Sequence, residues 1–373
     1  APKLAQHTHG NQVHSSWSAG LFYELTQDDV AINGFPLFHV AGAFVYGASA
    51  FLRGATLVLP TRLGMRNTEF VRNYWRFVAK YRVTVIVAVP TVIATLLNTP
   101  RGGADLSSIR LLFTGGTPLP TELAAEFERV IGKPVRNTFG MTESAGTVAI
   151  EPVQAPRVAN SVGWRLPYAE VKAVKLGADG ESFERDCKPG ETGVLVLRGP
   201  HVGPGYTDPK RNKGMFRADG WLISGDLGHL DESQRIFITG RAKDLIIRGG
   251  HNIDPAMIEE IAAEHPAVQM AAAVGEPDAY AGELPMLFVT LKPGARTGER
   301  ELIDFLASRI HERPALPKRV VMIEAMPVTA VGKIYKPALR RLATERRLGE
   351  VLAPLAVNGV KLSVEGVEEG GTI

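Results

Sequence analysis

Short apolar runs alternate with helical patterns through roughly the first 150 of the 373 residues of this chain. Runs at 83–89 and 109–114 predict buried strands. Segments 67–81 and 121–131, with apolar side chains at helical spacing, predict helices. Alternation of this kind predicts a mostly parallel sheet, since a parallel pair of strands needs a crossover, usually a helix. An α/β fold follows, and such folds bind ligands at the carboxyl ends of their strands.

The sequence pattern changes twice along the chain. Residues 1–155 are read as a large α/β subdomain, and the short β-type runs of 156–240, separated by glycine and proline turns, predict a small, mostly antiparallel β subdomain. Residues 241–352 mix helix and strand patterns and predict a compact C-terminal α+β domain, followed by a tail at 353–373. The fold class is therefore α/β, with a β-rich subdomain and a separate small α+β domain.

Composition excludes several classes of protein. Apolar residues make up 45% and charged residues 22%, the balance of a globular protein rather than a disordered one. The net charge of +3 predicts no nucleic-acid partner. The apolar stretch at 83–97 is too short to span a bilayer. The single cysteine, Cys187, rules out an intrachain disulfide and a multi-cysteine zinc site, and predicts a reducing, cytoplasmic compartment.

The segment from Asn137 to Glu143, with sequence NTFGMTE, is the most informative for chemistry. Phe139 offers a stacking face for a base, and Gly140 allows close approach of a backbone. Thr142 can donate to a phosphate oxygen, and Glu143 supplies a hard oxygen ligand for Mg²⁺. The alternative is a turn after a buried strand with an exposed glutamate.

Three further segments carry weaker signals. Gly115 and Gly116 follow an apolar run and place bare backbone at a strand end, although such glycines are common in turns. Asp226, in a glycine-flanked turn, can bind a ribose diol or simply hold the turn. His39 stands between apolar residues, where a buried structural histidine is the usual alternative to a catalytic one.

Two glycine-containing segments stand near the predicted C-terminal domain. In the first, Arg241 offers donors for hydroxyl or phosphate oxygens, and Gly249 and Gly250 leave room for a narrow chain to pass the backbone. In the second, Lys333 follows a glycine, so a flexible loop can carry its cation into a distant site. An ordinary surface lysine is the alternative.

Taken in order, these segments resemble the motif series of the adenylate-forming superfamily, which includes acyl- and aryl-CoA synthetases, peptide-synthetase adenylation domains and luciferases. The resemblance runs from residue 1 to about residue 350 and includes FGMTE, SGDL, GRAKDLIIRGG and the terminal GK loop. It implies a carboxylic acid:CoA ligase that uses ATP, Mg²⁺ and coenzyme A. The carboxylate would attack the α-phosphate of ATP to give an acyl-adenylate, and the thiol would then displace AMP.

The resemblance also assigns roles to residues. Lys333 would bridge the carboxylate and the α-phosphate, Thr142 would touch that phosphate, Glu143 would hold Mg²⁺ and His39 would gate the acyl pocket. Lys243 would be the domain hinge, and Gly249 and Gly250 would face the thiol of CoA. The residues expected to bind the nucleotide are Lys3, Gly115, Gly116, Thr117, Asn137, Phe139, Gly140, Met141, Thr142, Asp226 and Arg241.

One departure from the family pattern concerns the phosphate loop. The chain begins at Ala1-Pro2-Lys3, without the glycine-rich half of that loop. We therefore expect an N-terminally truncated piece of a longer ligase, inactive by itself. An adenylating enzyme with a non-CoA acceptor and a silent AMP-binding fragment are the alternatives. The small residues Ala41, Gly42, Ala43 and Gly47 leave room for an aliphatic chain or an aryl ring. Of the two we expect a fatty acid, and a homodimer is left open.

Overall fold

The computed structural model describes residues 3–355. The terminal residues 1–2 and 356–373, with most of the predicted tail, lie outside the described part. Contacts divide the described residues into a larger unit, residues 3–239 with 330–333, and a smaller unit, residues 240–329 with 334–355. The predicted domain bounds at 155, 240 and 352 stay predictions.

The larger unit begins with an α/β region. Its elements in chain order are β1 (Ala5–Gln6), α1 (His9–Phe22), β2 (Val30–Ile32), α2 (Ser49–Leu52), β3 (Thr56–Val58), α3 (Thr68–Arg72), α4 (Tyr74–Lys80), β4 (Val85–Val87), α5 (Pro90–Leu97), β5 (Leu111–Gly115), α6 (Thr121–Ile131), β6 (Val135–Phe139), β7 (Ala149–Ile150) and β8 (Trp164–Arg165). A π-helix at Ala41–Ala48 precedes α2. Strands β2 to β8 form one sheet in the order β3-β2-β4-β5-β6-β7-β8.

The five strands from β3 to β6 pair in parallel, as the sequence predicts. Their side chains alternate between two cores. Ile86 and Leu112 pack with the aromatic side chains of α3 and α4 on one face, while Val87 and Phe113 pack with α1 and the π-helix on the other. Both faces are therefore covered, which explains the nearly continuous apolar runs in these strands.

A buried ionic group ties β4 and β5 to the chain before β2. Asp29 accepts hydrogen bonds from Thr84 Oγ1 at 2.6 Å and from Arg110 Nε at 2.6 Å. Burial raises the pKa of Asp29, but these bonds outweigh it, so the pKa lies below its usual value. The carboxylate thus stays charged and paired at neutral pH, which pins the edge of the sheet opposite the strand ends that bind ligands.

The second part of the larger unit is a five-stranded sheet, ordered β10-β9-β11-β13-β14. Its strands and one short additional strand are β9 (Glu170–Leu176), β10 (Phe183–Asp186), β11 (Gly193–Arg198), β12 (Gly205–Tyr206), β13 (Leu222–Leu230) and β14 (Ile236–Arg241). The pairs β9–β10, β9–β11 and β11–β13 are antiparallel, as predicted. The short strand β12 pairs instead with β1, far away in sequence.

The smaller unit is an α+β fold. Its elements are β15 (Ile246–Arg248), β16 (His251–Ile253), α7 (Pro255–Ala263), β17 (Val268–Asp278), β18 (Gly282–Leu291), α8 (Glu299–Ala307), β19 (Arg319–Met322) and α9 (Lys336–Leu352). Strands β17 and β18 form a long antiparallel hairpin, and β19 pairs in parallel with β18. Helix α7 begins after Asp254, which caps it by accepting from Ala256 N at 3.0 Å.

Two sequence predictions for the larger unit were wrong. The single helix predicted at 67–81 is two helices, because the chain breaks at Asn73, whose side chain donates to Glu69 O at 2.9 Å. Asp226 lies within strand β13 rather than in a turn. There β13 carries three residues opposite Leu195 of β11, a bulge made possible by Gly225 at φ +74°.

Among residues 3–355, the structure contains no helix long and apolar enough to cross a membrane.

Candidate active site

The carboxyl ends of β5 and β6 meet where the sequence predicts a ligand site. Gly115 is paired with Thr138, and a β-carbon at Gly115 would lie 2.4 Å from the carbonyl oxygen of Thr138. Only glycine fits this close approach of the two strands. Gly116 follows with φ at +84°, a backbone conformation that residues other than glycine rarely adopt.

Lys333 lies directly over Gly116. A β-carbon at Gly116 would be 2.7 Å from Lys333 Cε and 3.2 Å from Nζ. The preceding residue, Gly332, is held at the start of α5, where Thr91 Oγ1 donates to its carbonyl oxygen at 2.5 Å. The loop thus places the ammonium group at the end of β5. An ordinary surface lysine would have no such fixed position.

His39 is half-buried and shares this region of the larger unit. Burial, and after it the charge of Lys333, lower the pKa of His39 to about 4. Its Nδ1 accepts from Ala41 N at 3.2 Å, which leaves the ring proton on Nε2. His39 is therefore a neutral hydrogen-bond donor at physiological pH, suited to binding an anionic carboxylate without adding charge.

This protonation state gives a testable pH dependence. We expect the Cε1–H resonance of His39 in an NMR titration to have its midpoint near pH 4, well below the usual value of about 6.5. Between these two pH values the unfolded chain binds more protons at this residue than the folded protein, so this contribution to stability falls as the pH drops from about 6.5 to 4. A midpoint above pH 6 would contradict the proposed environment of His39.

The segment from Gly140 to Gly146 forms a tight loop after β6. A β-carbon at Gly140 would lie 1.6 Å from Gly146 O, so the backbone that approaches Gly140 is that of the chain itself. Within the loop, a 3₁₀ turn at Thr142–Ser144 exposes Thr142 and leaves Glu143 partly buried. Met141 O accepts from Gly146 N at 3.1 Å and closes the loop.

Two residues that the sequence did not single out hold this turn. His7 Nε2 lies 2.6 Å from Thr142 O, and the hydroxyl of Tyr206 donates to Glu143 Oε1. The sequence gives no local signal for either contact, because His7 and Tyr206 reach the turn through the pairing of β1 with β12. Lys3 also reaches this cluster, with its Nζ 5.4 Å from the centre of the Tyr206 ring.

Other predicted nucleotide-binding residues have structural partners. Asn137 uses its amide to donate to Ser161 O at 3.2 Å and to accept from Thr138 N at 3.0 Å. Phe139 is only 8% exposed and packs, with Met141 beside it, in the core of the β subdomain. Stacking of Phe139 on adenine therefore stays a prediction that could use only its small exposed part. Thr117 is half-buried just after Gly116.

Asp226 is buried, whereas Arg241 and the predicted hinge residue Lys243 are exposed. Asp226 is 3% exposed, and its backbone N–H donates to Ser224 Oγ at 3.0 Å. Arg241, an exposed residue, ends β14. Lys243 lies in an exposed 3₁₀ turn at Ala242–Asp244, and its carbonyl accepts from Arg340 Nη2 at 3.2 Å.

The prediction that small residues at 41–43 and 47 make room in the acyl pocket is wrong for the two glycines, Gly42 and Gly47. They lie in or beside the π-helix Ala41–Ala48, a rare element that is frequent at functional sites. A β-carbon at Gly42 would be 2.4 Å from Pro36 O, and one at Gly47 would be 2.4 Å from Gly42 O. These two glycines admit the backbone of the chain itself, so they do not enlarge the pocket.

Gly249 and Gly250 form the two-residue turn of the hairpin β15–β16. Both have positive φ, as the turn requires, and no atom lies within 4 Å of a β-carbon at either position. Beside the turn, the smaller unit has a cavity of about 460 Å³. The residues that line it are Arg248, Gly249, His251, Asp278, Tyr280, Ala281, Leu284, Arg313 and Pro314.

Comparison with known protein families shows which family the chain belongs to. Residues 1–207 match the model of the AMP-binding enzymes, and residues 257–333 match that of their C-terminal domain. The chain belongs to the AMP-binding enzyme family. It is thus a member of the adenylate-forming superfamily, and its fold is that of the superfamily's acyl-CoA ligases, as the motif series implies.

Individual relatives are acid–CoA ligases. The chain is 37% identical over 359 residues to a marinolic acid–CoA ligase of Pseudoalteromonas, covering 95% of this chain and 55% of that protein. It is 34% identical to an indoleacetate–CoA ligase of Aromatoleum aromaticum, covering 88% of this chain and 62% of that protein. The chain thus spans a little over half the length of these relatives.

A solved structure is similar over most of the chain. O-succinylbenzoate coenzyme A synthetase from Bacillus subtilis, in complex with ATP and magnesium ion, is 31% identical with a TM-score of 0.73. The similarity covers 89% of this chain and 66% of that one.

Proposed function

We propose that the whole protein is an ATP-dependent carboxylic acid:CoA ligase that acts through an acyl-adenylate. Because this chain spans a little over half the length of its relatives, the assays described below use the full-length protein. The observation that carries the proposal is the position of Lys333 over Gly116, at the carboxyl end of β5 and beside a neutral His39. A fixed cation at this place can neutralise two anions, the carboxylate and the α-phosphate, that repel each other as they approach. The AMP-binding family and its acid–CoA ligase members support the same reaction.

The first half-reaction joins the acid to the nucleotide. A carboxylate oxygen attacks the α-phosphorus of ATP, and the bond from that phosphorus to the pyrophosphate oxygen breaks. Lys333 holds both reacting groups, His39 Nε2–H binds the second carboxylate oxygen, and Thr142 donates to the phosphate. Positioning and charge neutralisation supply the catalysis, since no covalent bond to the protein forms.

The residues present fit a magnesium ion that arrives with ATP. Among residues 3–355, no group of three or more His, Cys, Asp or Glu residues could hold a metal by itself. One carboxylate, that of Glu143, suits Mg²⁺, which in nucleotide sites is bound by one or two carboxylates together with substrate phosphates. When bound, the ion would neutralise phosphate charge. The magnesium-containing relative supports this assignment.

In the second half-reaction the thiol sulfur of CoA attacks the acyl carbon, and the bond between that carbon and the phosphate oxygen breaks. AMP leaves, and the thiol proton goes to water. The cavity beside Gly249 and Gly250 supports a role for the smaller unit in binding CoA. Arg248, His251 and Arg313 bring nitrogen donors to it, which suit the phosphates of CoA, and Tyr280 adds an exposed aromatic face. Arg248 is fixed there because its Nη1 donates to Pro314 O at 2.6 Å.

The CoA assignment predicts a selective defect. Replacing Arg313 with alanine should raise the KM for CoA about tenfold, since a charge-assisted bond to phosphate is lost, and leave acid-dependent pyrophosphate exchange unchanged. The matched control is Arg296→Ala, an exposed arginine that does not line the cavity. A normal KM for CoA in Arg313→Ala would contradict the assignment of the cavity.

The identity of the carboxylic acid substrate is tested by assaying a set of different acids. We propose a fatty acid as substrate, and the two named relatives act on different acids, so the panel contains a long-chain fatty acid and an aryl acid. Products are identified by mass spectrometry after incubation with ATP, Mg²⁺ and CoA. Acyl-CoA formation supports the ligase. AMP release that is indifferent to CoA would overturn it in favour of another acceptor, and conversion of only the aryl acid would overturn the fatty acid.

A further inference from the structure

The hydroxyl of Tyr206 is bonded to the carboxylate of Glu143. Tyr206 is 3% exposed, and its hydroxyl has Met215 Sδ as a second neighbour at 3.2 Å. A tyrosine phenol is protonated at neutral pH, so this hydroxyl donates to the carboxylate oxygen Glu143 Oε1.

The rest of Tyr206 is fixed without the hydroxyl. Its backbone N–H donates to Asn212 Oδ1 at 2.8 Å, and its ring packs edge-on against Phe216 with 5.6 Å between the ring centres. In the β1–β12 pair, Tyr206 stands opposite Ala5. Loss of the hydroxyl alone should leave this packing intact.

The bond fixes one of the two carboxylate oxygens of Glu143. Because the hydroxyl of Tyr206 donates to Oε1, rotation of the carboxylate is restricted, and the lone pairs that the phenol does not occupy remain for a metal ion. The backbone of Glu143 is held separately, because its carbonyl accepts from Gly203 N at 2.9 Å. The hydroxyl thus decides where the side chain points and has little part in where the turn lies.

We propose that Tyr206 is a positioning residue that orients Glu143 toward the magnesium ion of the bound nucleotide. The inference rests on the proposed function, since it takes Glu143 as the metal ligand. Tyr206 also links two parts of the phosphate site, because the ring that orients Glu143 lies beneath the ammonium group of Lys3. This link is made through the pairing of β1 with β12, whose residues are about 200 positions apart in sequence.

The test compares nucleotides with and without metal. Calorimetry measures the dissociation constants of Mg·ATP and of metal-free AMP for the wild type and for Tyr206→Phe. We expect about tenfold weaker binding of Mg·ATP in the variant, the effect of losing one bond to a charged group, with AMP binding within twofold of the wild type. Tyr168→Phe, at a tyrosine that is 81% exposed and has no part in the proposed site, is the matched control.

A second variant shows whether the effect passes through Glu143. In Glu143→Ala, adding Tyr206→Phe should weaken Mg·ATP binding no further. Multiplying effects in the double variant, equal losses for AMP and Mg·ATP, or unchanged Mg·ATP binding in Tyr206→Phe would each overturn the proposal. Failure of the proposed function is read separately in the wild type, as absence of Mg·ATP binding.

Discussion

Replacing Lys333 with alanine is expected to slow acyl-adenylate formation by about 10²- to 10³-fold, the usual effect of removing one preorganised electrostatic contact at a reacting group. Lys333 lies over Gly116 at the end of β5, where its charge faces both the carboxylate and the α-phosphate in the proposed reaction. Thioester formation from preformed acyl-adenylate should change less than about threefold, because that step no longer joins two anions. The two half-reactions are measured separately, as pyrophosphate exchange and as AMP release from the isolated adenylate.

The control for this experiment is Lys318→Ala, which removes an exposed lysine of the smaller unit. It should leave both half-reactions unchanged. If Lys333→Ala slowed both half-reactions equally, Lys333 would have a structural role or a role common to both steps, and the assignment would be wrong.

Replacing Gly140 with alanine should destabilise the protein and abolish most adenylation activity. The added β-carbon would lie 1.6 Å from Gly146 O and 2.7 Å from Gly146 C. These are backbone atoms, so the loop itself must move. We expect a loss of about 3 kcal/mol in the free energy of unfolding, at the upper end of overpacking effects. Displacing Thr142 and Glu143 by about 1 Å would add a loss of about 10²-fold in rate.

Denaturation and pyrophosphate exchange measure these two effects. Gly349→Ala is the matched control, since Gly349 lies inside α9 with no atom within 4 Å of a β-carbon. That change should be neutral or stabilising by up to about 1 kcal/mol, because alanine favours helix. A Gly140→Ala variant as stable and as active as the wild type would show that the loop is not closed as described.

Local patterns predicted the central strands β4 and β5 and two helical segments of the α/β region. The apolar run before Gly115 is β5, and the helix predicted at 121–131 is α6, closed by Gly132 at φ +76°. These elements depend on periodicity and on caps, which a sequence shows directly. The break at Asn73 was missed because the apolar period continues through it, and the period outweighed the single polar residue.

Helix α1 was also missed, because its buried side is not apolar. Ser15, Ser16 and Ser18 are buried in it, and a capping box between Thr8 and Asn11 starts it. Packing of small polar side chains leaves no hydrophobic period to detect.

The candidate site was predicted in part. The glycine pair, the FGMTE loop and the GK loop are visible as short motifs, and the structure brings Lys333 to Gly116. The bond from Tyr206 to Glu143 could not be predicted, because it depends on the pairing of β1 with β12. The close approach of a backbone at Gly140 was predicted, but the approaching residue, Gly146, was not.

In the proposed reaction the protein activates a carboxylic acid as an adenylate. Acid-dependent exchange of labelled pyrophosphate into ATP tests it most directly, because exchange requires reversible formation of the enzyme-bound acyl-adenylate. We expect exchange that needs both Mg²⁺ and a carboxylic acid, proceeds without CoA and is slowed about 10²- to 10³-fold in Lys333→Ala. Exchange that is independent of the acid, or unaffected in Lys333→Ala, would contradict it.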